Sequence, residues 1–253
     1  MLFELTLTVA LLLILAAFVA GVVDSIAGGG GLITVPALLL AGLPPVQALA
    51  TNKVQGAFGA GTAALAYARK GHVNLSAQTI PALLSFAAAF AGSKLVPHIP
   101  TEAMKVILPV ILIGIAAFFA LKPGLSDADR HRRLTPALFT AAFVPAIAFY
   151  DGLIGPGTGS FFMIGFVLLA GHGVLKATAH TKLLNFASNI GSVLAFALIG
   201  APLWKLGLAM GVAQIVGAQI GTHLAMRIGA RLIKPLLVVT SAAMALRLIW
   251  QMV

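Results

Sequence analysis

The stretch Asp24-Ser25-Ile26-Ala27-Gly28-Gly29-Gly30-Gly31 sits between apolar runs, and Asp151-Gly152-Leu153-Ile154-Gly155-Pro156-Gly157-Thr158-Gly159 repeats its pattern Asp-x-x-x-Gly-x-Gly. Each glycine costs a helix about 1 kcal/mol relative to alanine and a proline costs more, so both stretches are expected to break regular helix. After the first break an apolar run from Leu32 to Ala41 restarts a helix. At 1.5 Å per residue it reaches about 15 Å, half of a roughly 30 Å hydrocarbon core, so its N-terminus is expected near mid-depth. Exposed amides at that depth must be buried in protein or line a wet cavity. A helix N-terminus there attracts anions through its free N–H groups and partial positive charge. The competing account is that these glycines only let helices pack closely. A nucleotide-binding loop is excluded, because the glycines precede an apolar run and no G-K-[ST] follows.

The rest of the chain fits a membrane setting. Of 253 residues, 60% are hydrophobic and only 9% charged, and the mean hydropathy is +1.06. This predicts an all-α polytopic membrane protein and excludes an ordinary soluble domain. Zero cysteines remove disulfides, thiolate metal sites and cysteine nucleophiles. The net charge of +10 reads as topology rather than nucleic-acid binding, because the Lys and Arg excess sits in a few short loops. Apolar segments fall at about 5–23, 25–41, 45–68, 76–96, 104–121, 135–150, 151–171, 174–198, 205–226 and 235–250, giving about 8–10 transmembrane segments. No positive flank precedes the first segment, so it is expected to stay as an anchor.

Further matches extend the repeat. Thr51-Asn52-Lys53 faces His180-Thr181-Lys182, and Gly92-Ser93-Lys94-Leu95 faces Gly221-Thr222-His223-Leu224. Residues 1–121 and 135–253 thus read as two transmembrane repeats joined by a basic cytoplasmic linker, 122–134. Counting ten crossings, Arg69-Lys70, the linker and the loop of Arg227, Arg231 and Lys234 share one side, which the positive-inside rule makes cytoplasmic. Both termini then lie on the non-cytoplasmic side. Five segments per half would invert the second copy, an architecture of secondary transporters with a site near the midplane.

Lys53 and Lys182 each fall about nine residues into their segments, near mid-depth. Charges there are expensive, so they should face the interior and mark a substrate path; the alternative is a structural pair with Asp24 or Asp151. Asn185, Asn189 and Ser192 share a helix face with Lys182 nearby, and Asn52, Lys53 and Gln55 form the comparable group in the first half. Gln214, Gln219, Thr222 and His223 add a polar stripe, matched by Ser85, Ser93 and Lys94. For any single amide or hydroxyl, interhelical hydrogen bonding competes with substrate contact. Substrate-binding candidates are therefore Gly28 to Gly31, Asn52, Lys53, Gln55, Gly155, Gly157, Thr158, Gly159, His180, Thr181, Lys182, Asn185 and Asn189. His180, Asp24 and Asp151 are candidate proton carriers. The ten-crossing count sets the two aspartates close to opposite membrane faces, where each could instead cap its neighbouring broken helix.

On these residues the chain resembles the sulfite exporter TauE/SafE family of membrane proteins. The resemblance rests on the Asp-x3-Gly-x-Gly turn, Gly-Gly-Gly-Gly-Leu-Ile-Thr-Val-Pro to Pro36, Ala-x-Ala-Thr-Asn-Lys to Lys53, Gly-x-Gly-Thr-Gly to Gly159 and the His-Thr-Lys of 180–182, and it covers nearly the whole chain. It implies an inner-membrane secondary transporter whose cargo includes sulfite, sulfonates and related small organosulfur anions. It also implies fewer spans than ten, which leaves 25–41 and 151–171 open between full crossings and half-helices. The residues and the resemblance agree on an anion, held by Lys53 and Lys182 at the glycine breaks, with no cofactor, no metal and no nucleic acid.

An anion channel would share this pore chemistry and differ by single-channel currents. A membrane enzyme would need a catalytic constellation, and the chain has six acidic residues and neither H-E-x-x-H nor G-x-S-x-G. A scaffold would bind no anion.

Overall fold

A computed structural model describes residues 6–100, 102–104, 110 and 131–229, all helix or connecting turn. Most of the apolar segment 104–121, linker residues 122–130 and the segment 235–250 lie outside the described residues. The first half runs α1 (Leu7–Ala27), α2 (Gly30–Leu40), α3 (Pro45–Arg69) and α4 (Thr79–Leu95). The second runs α5 (Pro136–Leu153), α6 (Thr158–Leu168), α7 (Val174–Ala197) and α8 (Trp204–Ile228). In both halves an 11-residue helix follows the glycine break.

Among the described residues four helices are long and apolar enough to cross a membrane: α1, α4 with its flanking 3-10 turns, α5 and α8. Helices α3 and α7 are as long, at 25 and 24 residues, but carry the buried polar groups. The exteriors of the apolar helices present Leu11, Leu12 and Leu15 on α1, Ile80 and Leu83 on α4, and Val212 and Val216 on α8. With lipid as the surrounding solvent such exposure needs no partner protein.

Helices α2 and α6 are too short to cross, about 16 Å each, and they turn back. Leu38 and Leu43, near and after the end of α2, share a cluster with Leu13 and Ala17, seven and eleven residues into the 21-residue α1. Phe166 of α6 lies 4.9 Å, centroid to centroid, from Phe139 near the start of α5. The amides of Arg133 and Leu134 also donate to Leu169 O just beyond α6. Segments 25–41 and 151–171 are therefore re-entrant hairpin arms rather than crossings.

The helix pairings exchange under the sequence repeat. Helix α1 packs on α8 as α5 packs on α4, and α3 packs on α8 as α7 packs on α4. Small residues close these seams. A Cβ at Gly217 would strike Phe18 O on α1, one at Gly92 would strike Phe149 O on α5, and one at Gly191 would strike Phe86 O on α4. Interhelical hydroxyl bonds add to them: Ser85 Oγ donates to Leu184 O and Ser93 Oγ to Gly152 O, both at 2.9 Å. For Ser85 and Ser93 the interhelical account of the polar stripe holds. Lys94, Gln219 and His223 of the same stripes are exposed.

Candidate functional site

The two breaks meet inside the bundle. Helix α1 ends at Ala27, Gly28 and Gly29 take φ of 73° and 116°, and α2 starts at Gly30. A side chain at Gly28 would also lie 2.5 Å from Gly159 C and 2.6 Å from Ser160 N. Gly28 thus both turns the chain and permits the second break to cross it, so the packing account and the broken-backbone account are both correct there. Ser160 Oγ fastens the crossing by donating to Gly28 O at 2.9 Å. Gly30 and Gly31, expected outside regular helix, are instead the first residues of α2. That costs little because first-turn amides have no intrahelical partner, and here a carboxylate serves two of them.

That carboxylate is Asp24. Its Oδ1 accepts the amides of Gly29 at 3.0 Å and Gly30 at 3.1 Å, and its Oδ2 accepts Lys182 Nζ at 3.1 Å. Asp151 is held differently: Oδ1 takes Lys53 Nζ at 2.7 Å and Oδ2 takes the Ser188 hydroxyl at 2.6 Å. Lys53 and Lys182 are 1% and 0% exposed, so both ammonium groups are withdrawn from bulk solvent and the carboxylates are their counter-ions. Both ion pairs join one half to the other, and they are equivalent under the repeat. The expectation that Asp24 and Asp151 sit near opposite faces is corrected. Each aspartate lies in the last turns of its helix, just before a glycine turn, and both line one interior cavity.

A cavity of about 30 Å³ lies between these groups, room for on the order of two waters. It is lined by Asp24, Asp151 and Lys53, by Gly29 to Gly31, Gly155, Gly157, Thr158 and Gly159 of the breaks, and by Asn52, Gln55, Asn185 and Asn189 of the long helices. Lys182 stands behind Asp24. Gly28, Thr181 and His180 are not among the lining residues, and His180 lines a separate cavity at one end of the bundle.

Asn52 Oδ1 accepts from Thr34 Oγ1 at 2.6 Å and from Gln55 Nε2 at 2.8 Å, tying α2 to α3. Gln55 Oε1 and Gln214 Oε1 are buried without a hydrogen-bond partner, and both residues line the cavity. Unsatisfied acceptors of this kind cost free energy unless water or a ligand with donors reaches them. Two lysines and two aspartates leave the site formally neutral, with amide oxygens, helix N-termini and a latent pair of ammonium groups around it. A small anion gains a cation there only by displacing a carboxylate, or when that carboxylate takes a proton.

Thr34, Gly56, Ser188 and Gln214 complete the site beyond the residues singled out as binding groups. Ser188 follows Asn185 by three positions and could have been read onto the same face. Gly56 lies directly beneath Asn189, 3.1 Å from its Oδ1 to a built Cβ, a contact no local pattern signals.

Long apolar helices around an ion-paired interior, entered by broken helices from both halves, are the architecture of a membrane transport protein. The chain belongs to the sulfite exporter TauE/SafE family, whose model matches residues 13–248. It is 59% identical over 237 residues to the probable membrane transporter protein ORF9 of a Sinorhizobium species, covering 94% of this chain and 91% of that one. It is 42% identical over 238 residues to the probable membrane transporter protein YfcA of Escherichia coli K12, covering 94% and 88%. A probable membrane transporter protein of Haemophilus influenzae is 42% identical over 233 residues, covering 92% and 91%. No solved structure matches the chain. The protein is a multi-pass membrane transporter of this family.

Proposed function

We propose that this transporter exports small sulfur-containing anions, such as sulfite or short sulfonates, across the inner membrane by alternating access between two inverted repeats, 1–121 and 135–253. The observation that carries the reading is the pair of buried Lys–Asp bridges, Lys53–Asp151 and Lys182–Asp24, each spanning the two halves at the crossed breaks. The exchanged helix pairings support the inverted relation, and the loop charges support a topology with both termini on the non-cytoplasmic side.

In the proposed cycle the resting lysines are neutralised by aspartates. Cargo enters when a carboxylate takes up a proton and releases its ammonium to the anion. Anion and proton then occupy the site together, which adds no net charge. The α6 end at Gly157 and Gly159 is the better seat for the anion, because the first amides of α2 are taken by the Asp24 carboxylate. At α6, among the described residues, no carboxylate caps the turn and Thr158 N is held by Gly155 O. Asn185 and Asn189 supply neutral donors beside it. Because the cavity is only about 30 Å³, cargo needs the walls to part, and rocking of one half against the other supplies that motion. The same smallness supports a carrier cycle.

The test is counterflow in proteoliposomes across sulfite, sulfate, small sulfonates and carboxylates. Saturable exchange of the sulfur anions is expected, falling at least tenfold in Asp151→Asn. A flux that neither saturates nor responds to cargo on the other side overturns the carrier reading.

A further inference from the structure

A second cavity, of about 290 Å³, opens at the end of the bundle where α3 finishes and α4, α5 and α7 begin. It shares no lining residue with the central site. Its rim holds Arg132 and Lys176, both exposed, with His172 and His180 beside them. Its wall is apolar, built from Leu134, Pro136, Phe139, Phe166 and Ala170. Among the described residues no acidic side chain lines it. Gln78 also lines it, and Gln78 Oε1 is buried without a hydrogen-bond partner.

The rings are fixed in place. Phe166 stacks on His172 at 5.5 Å, the two histidines stand 5.0 Å apart, and His180 Nδ1 is 2.9 Å from Lys176 O. The start of α5 is also locally distorted, its Phe139–Phe143 turn being a π-helix, a feature often found beside binding sites. Apolar wall, cationic rim and a spare acceptor call for a ligand with an apolar arm, an anionic group and a hydroxyl. The position at the ends of the helices places that ligand at the boundary between hydrocarbon and water, on the basic side of the protein.

We infer that this cavity binds the headgroup of an anionic glycerophospholipid. The phosphodiester meets Arg132 and Lys176, a headgroup hydroxyl meets Gln78 Oε1, and the first acyl carbons lie on Phe139 and Phe166. The volume suits a headgroup and the root of a chain rather than a whole lipid. Basic pockets between helices on a cytoplasmic face are suited to such headgroups by the same electrostatics.

The experiment titrates the purified full-length protein, in zwitterionic detergent, with short-chain phosphatidylglycerol, short-chain phosphatidylcholine or inorganic phosphate. Binding is read by thermal shift and native mass spectrometry. Phosphatidylglycerol should bind at least tenfold tighter than phosphatidylcholine. Arg132→Gln should weaken it roughly fivefold and Arg132→Gln/Lys176→Gln roughly thirtyfold. Lys205→Gln, at the start of α8, should leave it unchanged. Arg132 is exposed and precedes α5, so its single variant decides the matter even if the double variant fails to fold. Equal binding of the two lipids, an unchanged affinity in Arg132→Gln, or inorganic phosphate reproducing the whole shift would each overturn the assignment. None of these outcomes depends on transport of cargo.

Discussion

Replacing Lys53 by methionine keeps the stem and removes the ammonium from Asp151, leaving that carboxylate with the Ser188 hydroxyl, at 2.6 Å, as its remaining side-chain partner among the described residues. Breaking a buried pair by removing one member costs about 3–5 kcal/mol, chiefly because a charge is left uncompensated. For a protein of this size that is roughly 6–20 °C in melting temperature. Lys182→Met should cost less, because Asp24 keeps two backbone donors at 3.0 and 3.1 Å. Removing both members of the first pair, in Lys53→Met/Asp151→Leu, should restore most of the stability, since an ion pair is replaced by apolar groups of similar volume. The assay is thermal unfolding in one detergent for the wild type, Lys53→Met, Lys182→Met, Asp151→Leu and the double variant, whose summed singles are Lys53→Met and Asp151→Leu. A double variant as unstable as the summed singles, or a single variant that melts with the wild type, would refute the claim that the two groups are buried mutual counter-ions.

Gly28→Ala should destabilise far more than Gly71→Ala, because both have positive φ, of 73° and 76°, but only Gly28 has backbone within 2.6 Å of the new Cβ. Melting temperatures of the two variants check this. Ser188→Ala removes a hydroxyl donor from a buried carboxylate and should cost about 1.5–3 kcal/mol, read by the same melt. Gln55→Met removes the Nε2 donor to Asn52 Oδ1 at 2.8 Å together with the unpartnered Oε1, so it should cost no more than about 1 kcal/mol yet lower the rate of counterflow. Reporter fusions at either terminus should score as non-cytoplasmic; a cytoplasmic result for both would reverse the proposed orientation.

The breaks were legible because their signal is local: four glycines in a row, or a proline among glycines, cannot sustain a helix interior wherever they fall. Lys53 and Lys182 were legible because a charge inside an apolar run demands an interior position. Which aspartate each lysine meets was not legible, since the partner lies in the other half and only the packing of α3 and α7 at the crossed breaks brings it near. Hydropathy also counts every apolar run alike. A hairpin arm such as α2, buried against α1 and α3, reads like a crossing, and that error displaced Asp24 and Asp151 toward the membrane faces. Thr34 and Ser188 escaped notice because a hydroxyl within a membrane helix most often bonds its own backbone. Thr34 does so as well, donating to Gly30 O at 3.0 Å while also reaching Asn52.

Proteoliposomes holding a trapped pH indicator and facing a gradient of a small sulfonate, which stays ionised at neutral pH, test the central claim most directly. The account predicts saturable sulfonate entry accompanied by proton entry, with both signals lost in Asp151→Asn and in Lys53→Met/Asp151→Leu. Sulfonate entry at the wild-type rate in the folded double variant would contradict it.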